Sequence, residues 1–231
     1  MRSFLFLPFL LFQCTTVGFH EEKIRNSIDF GSLREFKVCT FFEEGITPSE
    51  IDDLFVHWNE ELSLYSLRAV IIDPKKMDRP GFTGTDILNF LHTLPLEKPC
   101  DRILYLKGRN WKDLVYEFFT LGILAGIGVK LEMQGGVETY TNTRGYIKAK
   151  YISTLQLLFT SPKSTLVHEG YHLLGCGHQL FMQSCYEQIQ TLKNLANSQV
   201  GEDFFFPSHT KAGERFLKRS QVNDFFGTRN D

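Results

Sequence analysis

Three histidines and a glycine within one stretch constrain this chain more than any other feature. The stretch reads His168-Glu169-Gly170-Tyr171-His172-Leu173-Leu174-Gly175-Cys176-Gly177-His178. Ser161-Pro162 can open a helix ahead of it, because a serine oxygen satisfies free N–H groups and proline's fixed φ suits the first turn. A helix running to about Leu174 puts His168 and His172 on one face, one turn apart. Gly175 supplies the left-handed residue that ends such a helix. The chain then turns, and His178 can come back beside the other two.

Two imidazoles one turn apart can reach a single metal ion, with His178 as the third ligand. Three neutral imidazoles that leave one position open describe a catalytic zinc site, since structural sites close all four. One Zn2+ would polarise a substrate carbonyl and acidify a bound water. Glu169 sits beside the first ligand, where it can touch that water without binding the metal. It would act as general base and then pass the proton to the leaving amine. The expected reaction is hydrolysis of a peptide bond in a protein or peptide substrate. The rival reading keeps the zinc and drops the hydrolysis, which leaves a protein-binding module.

A chain of 231 residues fits one domain. Hydrophobic residues at 42% and charged residues at 23% exclude wholesale disorder. A formal net charge of −2 gives no basis for binding a polyanion, so no nucleic-acid partner is expected. A monomer is assumed.

Residues 1–18 read as a secretory signal. Arg2 gives a positive start, Phe4 to Phe12 an apolar run, and Thr16-x-Gly18 small residues for cleavage. The run is too short to span a bilayer. A second reading takes Leu11-Phe12-Gln13-Cys14 as a lipobox, which would tether the chain to the cell envelope through lipidated Cys14. The first reading makes the protein secreted and removes Cys14. Cys39, Cys100, Cys176 and Cys185 then remain, an even number in an exported chain. Locality favours Cys176–Cys185, which leaves Cys39–Cys100; four buried free thiols are the alternative.

The rest of the chain has an α+β, α/β-like pattern. Residues 19–34 are a polar lead. Phe36–Phe42 reads as a strand. Thr47-Pro48-Ser49-Glu50 is a capping box, followed by Ile51, Leu54, Phe55, Trp58 and Leu62 on one face of a helix over about 48–63. Leu67–Ile72 is the next strand, closed by Asp73-Pro74, and a right-handed crossover makes the two strands parallel. Thr85 opens a short helix with Ile87, Leu88, Leu91 and Leu94 inward. Arg102–Leu106 is a third strand, and 111–121 looks helical. Gly122, Gly126 and Gly128 lack the signature of a phosphate loop. Residues 137–152 read as one or two exposed or edge strands.

The stretch at 168–178 matches every fixed position of HExxHxxGxxH, and the chain thereby resembles the metzincin zinc metallopeptidases. The resemblance implies a zincin-like catalytic domain over 35–231 with a small helical subdomain from about 179. It implies a twisted mixed sheet, a backing helix (48–63), an active-site helix, and an antiparallel edge strand beside the cleft near 144–152. It also implies a methionine turn under the metal, for which Met182 is the only candidate after the motif. The tyrosine that follows that turn in some members is replaced by Ser184, and Tyr186 is the substitute oxyanion donor. Archaemetzincins share the small domain, but their downstream Cys-x-x-Cys ligands are absent here, and the subfamily stays open. The last helix would bury Tyr186, Ile189, Leu192 and Leu195. Phe204-Phe205-Phe206-Pro207 reads as a hydrophobic tail on that helix or as a cap on the specificity pocket. His20, His57 and His92 lack metal-ligand spacing, and His209 reads as surface. Lys211, Arg215, Lys218 and Arg219 read as a solvated helix face.

Overall fold

A computed structural model describes residues 16–111, 113, 134–150, 161–199, 201–209 and 213–227 of the chain. The elements are α1 (Glu22–Ser27), β1 (Arg34–Phe42), α2 (Pro48–Ser63), β2 (Leu67–Lys76), α3 (Gly84–Thr93), β3 (Arg102–Lys107), β4 (Gly135–Val137), β5 (Arg144–Lys148), α4 (Pro162–Leu173), α5 (Gln183–Ser198), β6 (Phe204–His209), β7 (Arg215–Lys218) and α6 (Arg219–Gly227). Five strands form a mixed sheet in the order β2-β1-β3-β5-β4. All neighbours are parallel except β4, which runs antiparallel to β5 at the edge. Among the described residues no helix is long and apolar enough to cross a membrane.

Helices cover both faces of the sheet, which is why β3 is buried at all six positions. Alternate residues of β3 point to opposite sides. Leu104 and Leu106 join the core beneath α2, α4 and α5 with Phe36, Trp58, Leu166 and Tyr186. Ile103 and Tyr105 join a smaller core with Ile87, Leu91, Phe216 and Phe226 from α3, β7 and α6. The sequence periodicity of α2 is realised: Ile51, Leu54, Phe55, Trp58 and Leu62 are its buried residues. Thr47 and Glu50 close the expected capping box at its start. Both cysteine pairs are disulfide-bonded as locality suggested, Cys176 to Cys185 and Cys39 to Cys100.

Several expectations are corrected. The second strand does not stop at Asp73-Pro74 but runs to Lys76. Asp73 takes φ +40 and the register shifts between Cys39 and Phe41, so a bulge absorbs the proline. The missing proline N–H costs no ladder bond because β2 is an edge strand. The third helix is capped by Thr83, two residues before the expected Thr85. The segment 144–148 is not exposed or at the edge; β5 lies inside the sheet with all five residues buried. Arg144 is accommodated there because its Nε and Nη2 donate to the Leu91 and Leu94 carbonyls, and its guanidinium stacks 4.1 Å from the Phe226 ring centroid. The C-terminal part is not purely helical, since β6 and β7 pair antiparallel after α5. Arg215 and Lys218 lie on β7 rather than on a helix, and Arg219 is buried against Asp101. Most of the helix expected over 111–121, Gly122, Gly126, Gly128 and Lys211 lie outside the described residues.

One buried side chain ties these layers to α4. Arg102 donates to the carbonyls of Leu173 at 2.8 Å, Phe206 at 2.8 Å and Pro207 at 2.7 Å. It therefore caps the last turn of α4 with a cation, where the helix dipole is negative, and holds β6 beside it. Burial draws its guanidinium down to about 10, opposed by Asp101, so it remains charged at neutral pH.

Candidate metal centre

The helix that presents the histidines starts where the sequence placed it. Ser161 is the N-cap of α4, its side chain accepts from the Ser164 N–H, and Pro162 is the first helical residue. The helix ends at Gly175, which takes φ +81. A Cβ at Gly175 would also come within 2.3 Å of the His209 ring, so both its backbone conformation and its lack of a side chain are used.

His168, His172 and His178 converge. One ring nitrogen from each lies within 4.8 Å of the others. The ring centroids are 5.0 Å apart for His168–His172 and for His168–His178, and 4.7 Å apart for His172–His178. The first two rings are half-buried and the third is exposed. The donor chemistry fits a zinc ion, which takes neutral imidazoles at about 2.0–2.1 Å. His172 is also oriented for it. Its Nδ1 lies 2.7 Å from the Cys176 carbonyl; a carbonyl only accepts, so Nδ1 carries the proton and Nε2 is the nitrogen with a lone pair for a metal. Burial lowers the His168 pKa, and the neighbouring His178 adds to that, while a backbone hydrogen bond to Thr16 opposes them. A neutral His168 is the form a metal needs.

Glu169 is turned to the other side of the helix from solvent. Only 7% of it is exposed, and burial pushes its carboxyl up from 4.5 to about 8. It occupies the space over Gly135, where a Cβ would sit 2.6 Å from its Cγ. A glycine in β4 thus makes room for the carboxyl beside the histidine triad. A carboxyl titrating near neutrality is matched to proton transfer at neutral pH.

The triad and Glu169 line a cleft of about 750 Å³ together with Gln134, Gly136, Val137, Thr165 and His209. Strand β4 forms one wall, and its outer edge has no partner among the described strands. His209 is the residue that the sequence reading misplaced. It is not at the surface but in the cleft wall, with its main-chain carbonyl accepting from Asn142 Nδ2. Its Nδ1 is buried with no hydrogen-bond partner among the described residues beyond its own main chain, and burial lowers its pKa. Nothing in the local sequence marks His209; its place depends on β6 being carried to Leu173 by Arg102.

The remaining candidates sit as follows. Met182 is 1% exposed in the main core, at the N-cap of α5. Tyr186 is fully buried, and its hydroxyl meets His20 Nδ1 at 3.0 Å and the Glu21 N–H at 3.1 Å. It does not line the cleft, so the described structure does not bring it to the triad. Phe206 packs on Phe36 and Phe205 joins the smaller core, so that segment is packing rather than a cleft cap. Tyr171, between His168 and His172, faces inward and bonds Tyr65 at 2.7 Å and the Glu61 carboxylate, which anchors α4 to α2.

No family model matches the chain, and no curated protein does. Among solved structures, archaemetzincin from Methanopyrus kandleri aligns with a TM-score of 0.43 and 15% identity, over 68% of this chain and 94% of that one. The chemistry of the site rests on this chain's own residues.

Proposed function

We propose that the chain is an exported zinc-dependent peptidase of metzincin type, with His168, His172 and His178 holding one Zn2+ and Glu169 moving the protons. The observation that carries this reading is the convergence of three imidazoles beside a buried carboxyl of raised pKa, in a cleft walled by a strand whose outer edge has no partner among the described residues. A bound zinc supplies Lewis acidity toward the scissile carbonyl and acidifies water.

The chain's own residues do the rest. The outer edge of β4 offers main-chain groups that an extended peptide can pair with, as an added strand. Glu169 takes a proton from the attacking water at its carboxylate and delivers it to the leaving amine. Its low-dielectric seat strengthens that exchange by keeping bulk water from the carboxyl. The Cys176 carbonyl holds the His172 proton on Nδ1 and so turns Nε2 toward the metal site. Met182 and Tyr186 support the floor of the subdomain behind the third histidine, Met182 as its methionine turn. Two disulfides in the chain fit an extracellular setting.

The test uses one purified sample of the exported protein. Zinc is quantified, and an unfolded casein-like substrate is incubated with and without chelator. One zinc per chain with chelator-sensitive cleavage is expected. Stoichiometric zinc with no cleavage of any unfolded protein or peptide library would replace the peptidase by the binding module.

A further inference from the structure

Three large apolar side chains stand in solvent beside the third histidine. Phe19, Leu180 and Phe181 are 57%, 66% and 51% exposed. Two distant segments bring them together. Phe19 donates to the Leu180 carbonyl at 2.9 Å, and Met182 donates to the Phe19 carbonyl at 3.1 Å. Phe19 and Phe181 are thereby paired in parallel, and residues paired across two strands project to the same face. Val17 accepts from the Gln179 N–H at 3.0 Å through its carbonyl, and Met182 is 1% exposed in the main core. The Cys176–Cys185 disulfide closes the loop. The main chain is thus held at 179, 180 and 182, while the side chains at 180 and 181 stay outside. Single exposed apolar residues are ordinary, whereas adjoining ones at the rim of a cleft mark a binding surface.

The patch continues the cleft. Gly175, Cys176, Gly177 and His178 all line it, and Leu180 and Phe181 follow His178 by two and three residues. That is at most about 7 and 11 Å of extended chain. An extended peptide advances about 3.3 Å per residue, so the patch is within reach of a side chain two or three residues from a bond held at the triad. The cleft itself offers little apolar surface, since among its described lining residues Val137 alone has an aliphatic side chain. Pairing with the edge of β4 reads main chain rather than side chains. Apolar selection therefore falls to the rim. We propose that Phe19, Leu180 and Phe181 form a docking surface for an apolar side chain of the peptide substrate, two or three residues from the scissile bond. The proposal rests on the peptidase reading. The contact lies away from the reacting atoms, so it holds ground state and transition state alike and acts on KM rather than on kcat.

The test uses neutral decapeptides varied at the three positions on each side of a central bond. They are offered to the exported protein, to Leu180→Ser, to the Leu180→Ser/Phe181→Ser double variant, and to Val56→Ser as control. Val56 is 60% exposed on α2 and is not among the cleft's lining residues. Wild type should favour Phe or Leu over Ser about tenfold in kcat/KM at one position two or three residues from the bond, the worth of partly burying one such side chain. The double variant should lose that preference through KM, with kcat and the other positions unchanged, and Val56→Ser should match wild type. Equal preference in wild type and double variant overturns the proposal. If the double variant does not fold, Leu180→Ser alone carries the same comparison. The same peptides are titrated by fluorescence anisotropy against Glu169→Gln, with and without the patch substitutions. If wild type cleaves nothing, the peptidase reading falls and this titration decides the patch: tighter binding of the apolar peptides that the double variant loses supports it, and equal binding overturns it. Phosphatidylcholine vesicle sedimentation and sedimentation velocity are run alongside. Loss of vesicle binding or of self-association in the double variant, with peptide preference unchanged, gives the patch to a membrane or to a second copy and overturns the proposal.

Discussion

Replacing Glu169 by Gln separates its burial from its chemistry. The carboxyl is 7% exposed and titrates at about 8 in the folded, metal-free chain, against 4.5 ordinarily, because burial penalises its charged form. Between those two values the folded chain holds a proton that the unfolded chain has released. Stability then falls as pH rises through that window and is flat on either side of it. A tenfold shift in a proton equilibrium is about 1.4 kcal/mol, so the full effect is at most about 5 kcal/mol. Water entering the open cleft reduces this to roughly 2–5 kcal/mol, since effective protein dielectrics near 20 describe such sites better than dry ones. Glutamine has nearly the same shape and does not titrate. The metal-free Gln variant should match wild type near pH 4 and exceed it by about 2–5 kcal/mol at pH 8.5. Urea unfolding in the presence of chelator at pH 4, 6 and 8.5 measures the difference directly. Added zinc should shrink the gap, because a cation beside the carboxylate favours its charged form. A difference between the two proteins that does not change with pH would refute the burial argument. The same variant should bind zinc and lose hydrolysis; substantial residual cleavage would remove Glu169 from its assigned role.

The two disulfides should have different consequences. Cys39–Cys100 closes a separation of 61 residues and Cys176–Cys185 one of 9, for which chain entropy assigns about 4 and about 2.5 kcal/mol. Paired Cys→Ser variants should therefore show the larger stability loss at 39/100 and the larger loss of zinc affinity at 176/185, the loop that contains His178; the reverse order in denaturation and chelator competition would count against the site's geometry. His209→Ala should keep zinc and lower kcat/KM about tenfold, the worth of one hydrogen bond. Unchanged kinetics would make His209 wall rather than contact. Tyr171→Phe removes the hydroxyl that meets Glu61 and Tyr65. It should cost about 1–3 kcal/mol because Glu61 is left with one partner fewer, which a melting experiment reads as a drop of several degrees.

What the sequence made legible is the part of the site written in local spacing. The His168 and His172 pair, the Ser161-Pro162 start and the Gly175 stop each depend on residues within one or two helical turns, and all three hold. The capping box at Thr47 and the buried face of α2 are local in the same sense. The short disulfide followed from proximity along the chain. The errors fall where a residue's environment comes from a distant element. Arg144 and Lys148 gave 144–148 a polar, exposed look, yet both are buried in an interior strand. Arg144 is satisfied there by carbonyls at the end of α3 and by the Phe226 ring. Arg219 read as surface for the same reason, and it donates to the Cys100 carbonyl and to Asp101. Polarity in a sequence records a need for partners, not a place in solvent.

The surroundings of the histidine triad divide along the same line. The Cys176 carbonyl that orients His172 lies four residues on, and any helix ending at Gly175 delivers it. Val17 and Phe19, whose main chain bonds to the 179–182 segment, come from the far end of the chain, where composition reads as a leader. A small-residue pattern suits a signal peptidase and also suits a strand pressed against 179–182, where Gly18 has no room for a side chain. Composition does not show the second use, whereas the main-chain bonds of Val17 and Phe19 do. His209 belongs with them, because its seat beside Gly175 exists only after Arg102 has joined the end of α4 to β6. The triad is thus a local construction, and the cleft wall that His209 completes is set by backbone carbonyls of Leu173, Phe206 and Pro207 gathered on one buried arginine.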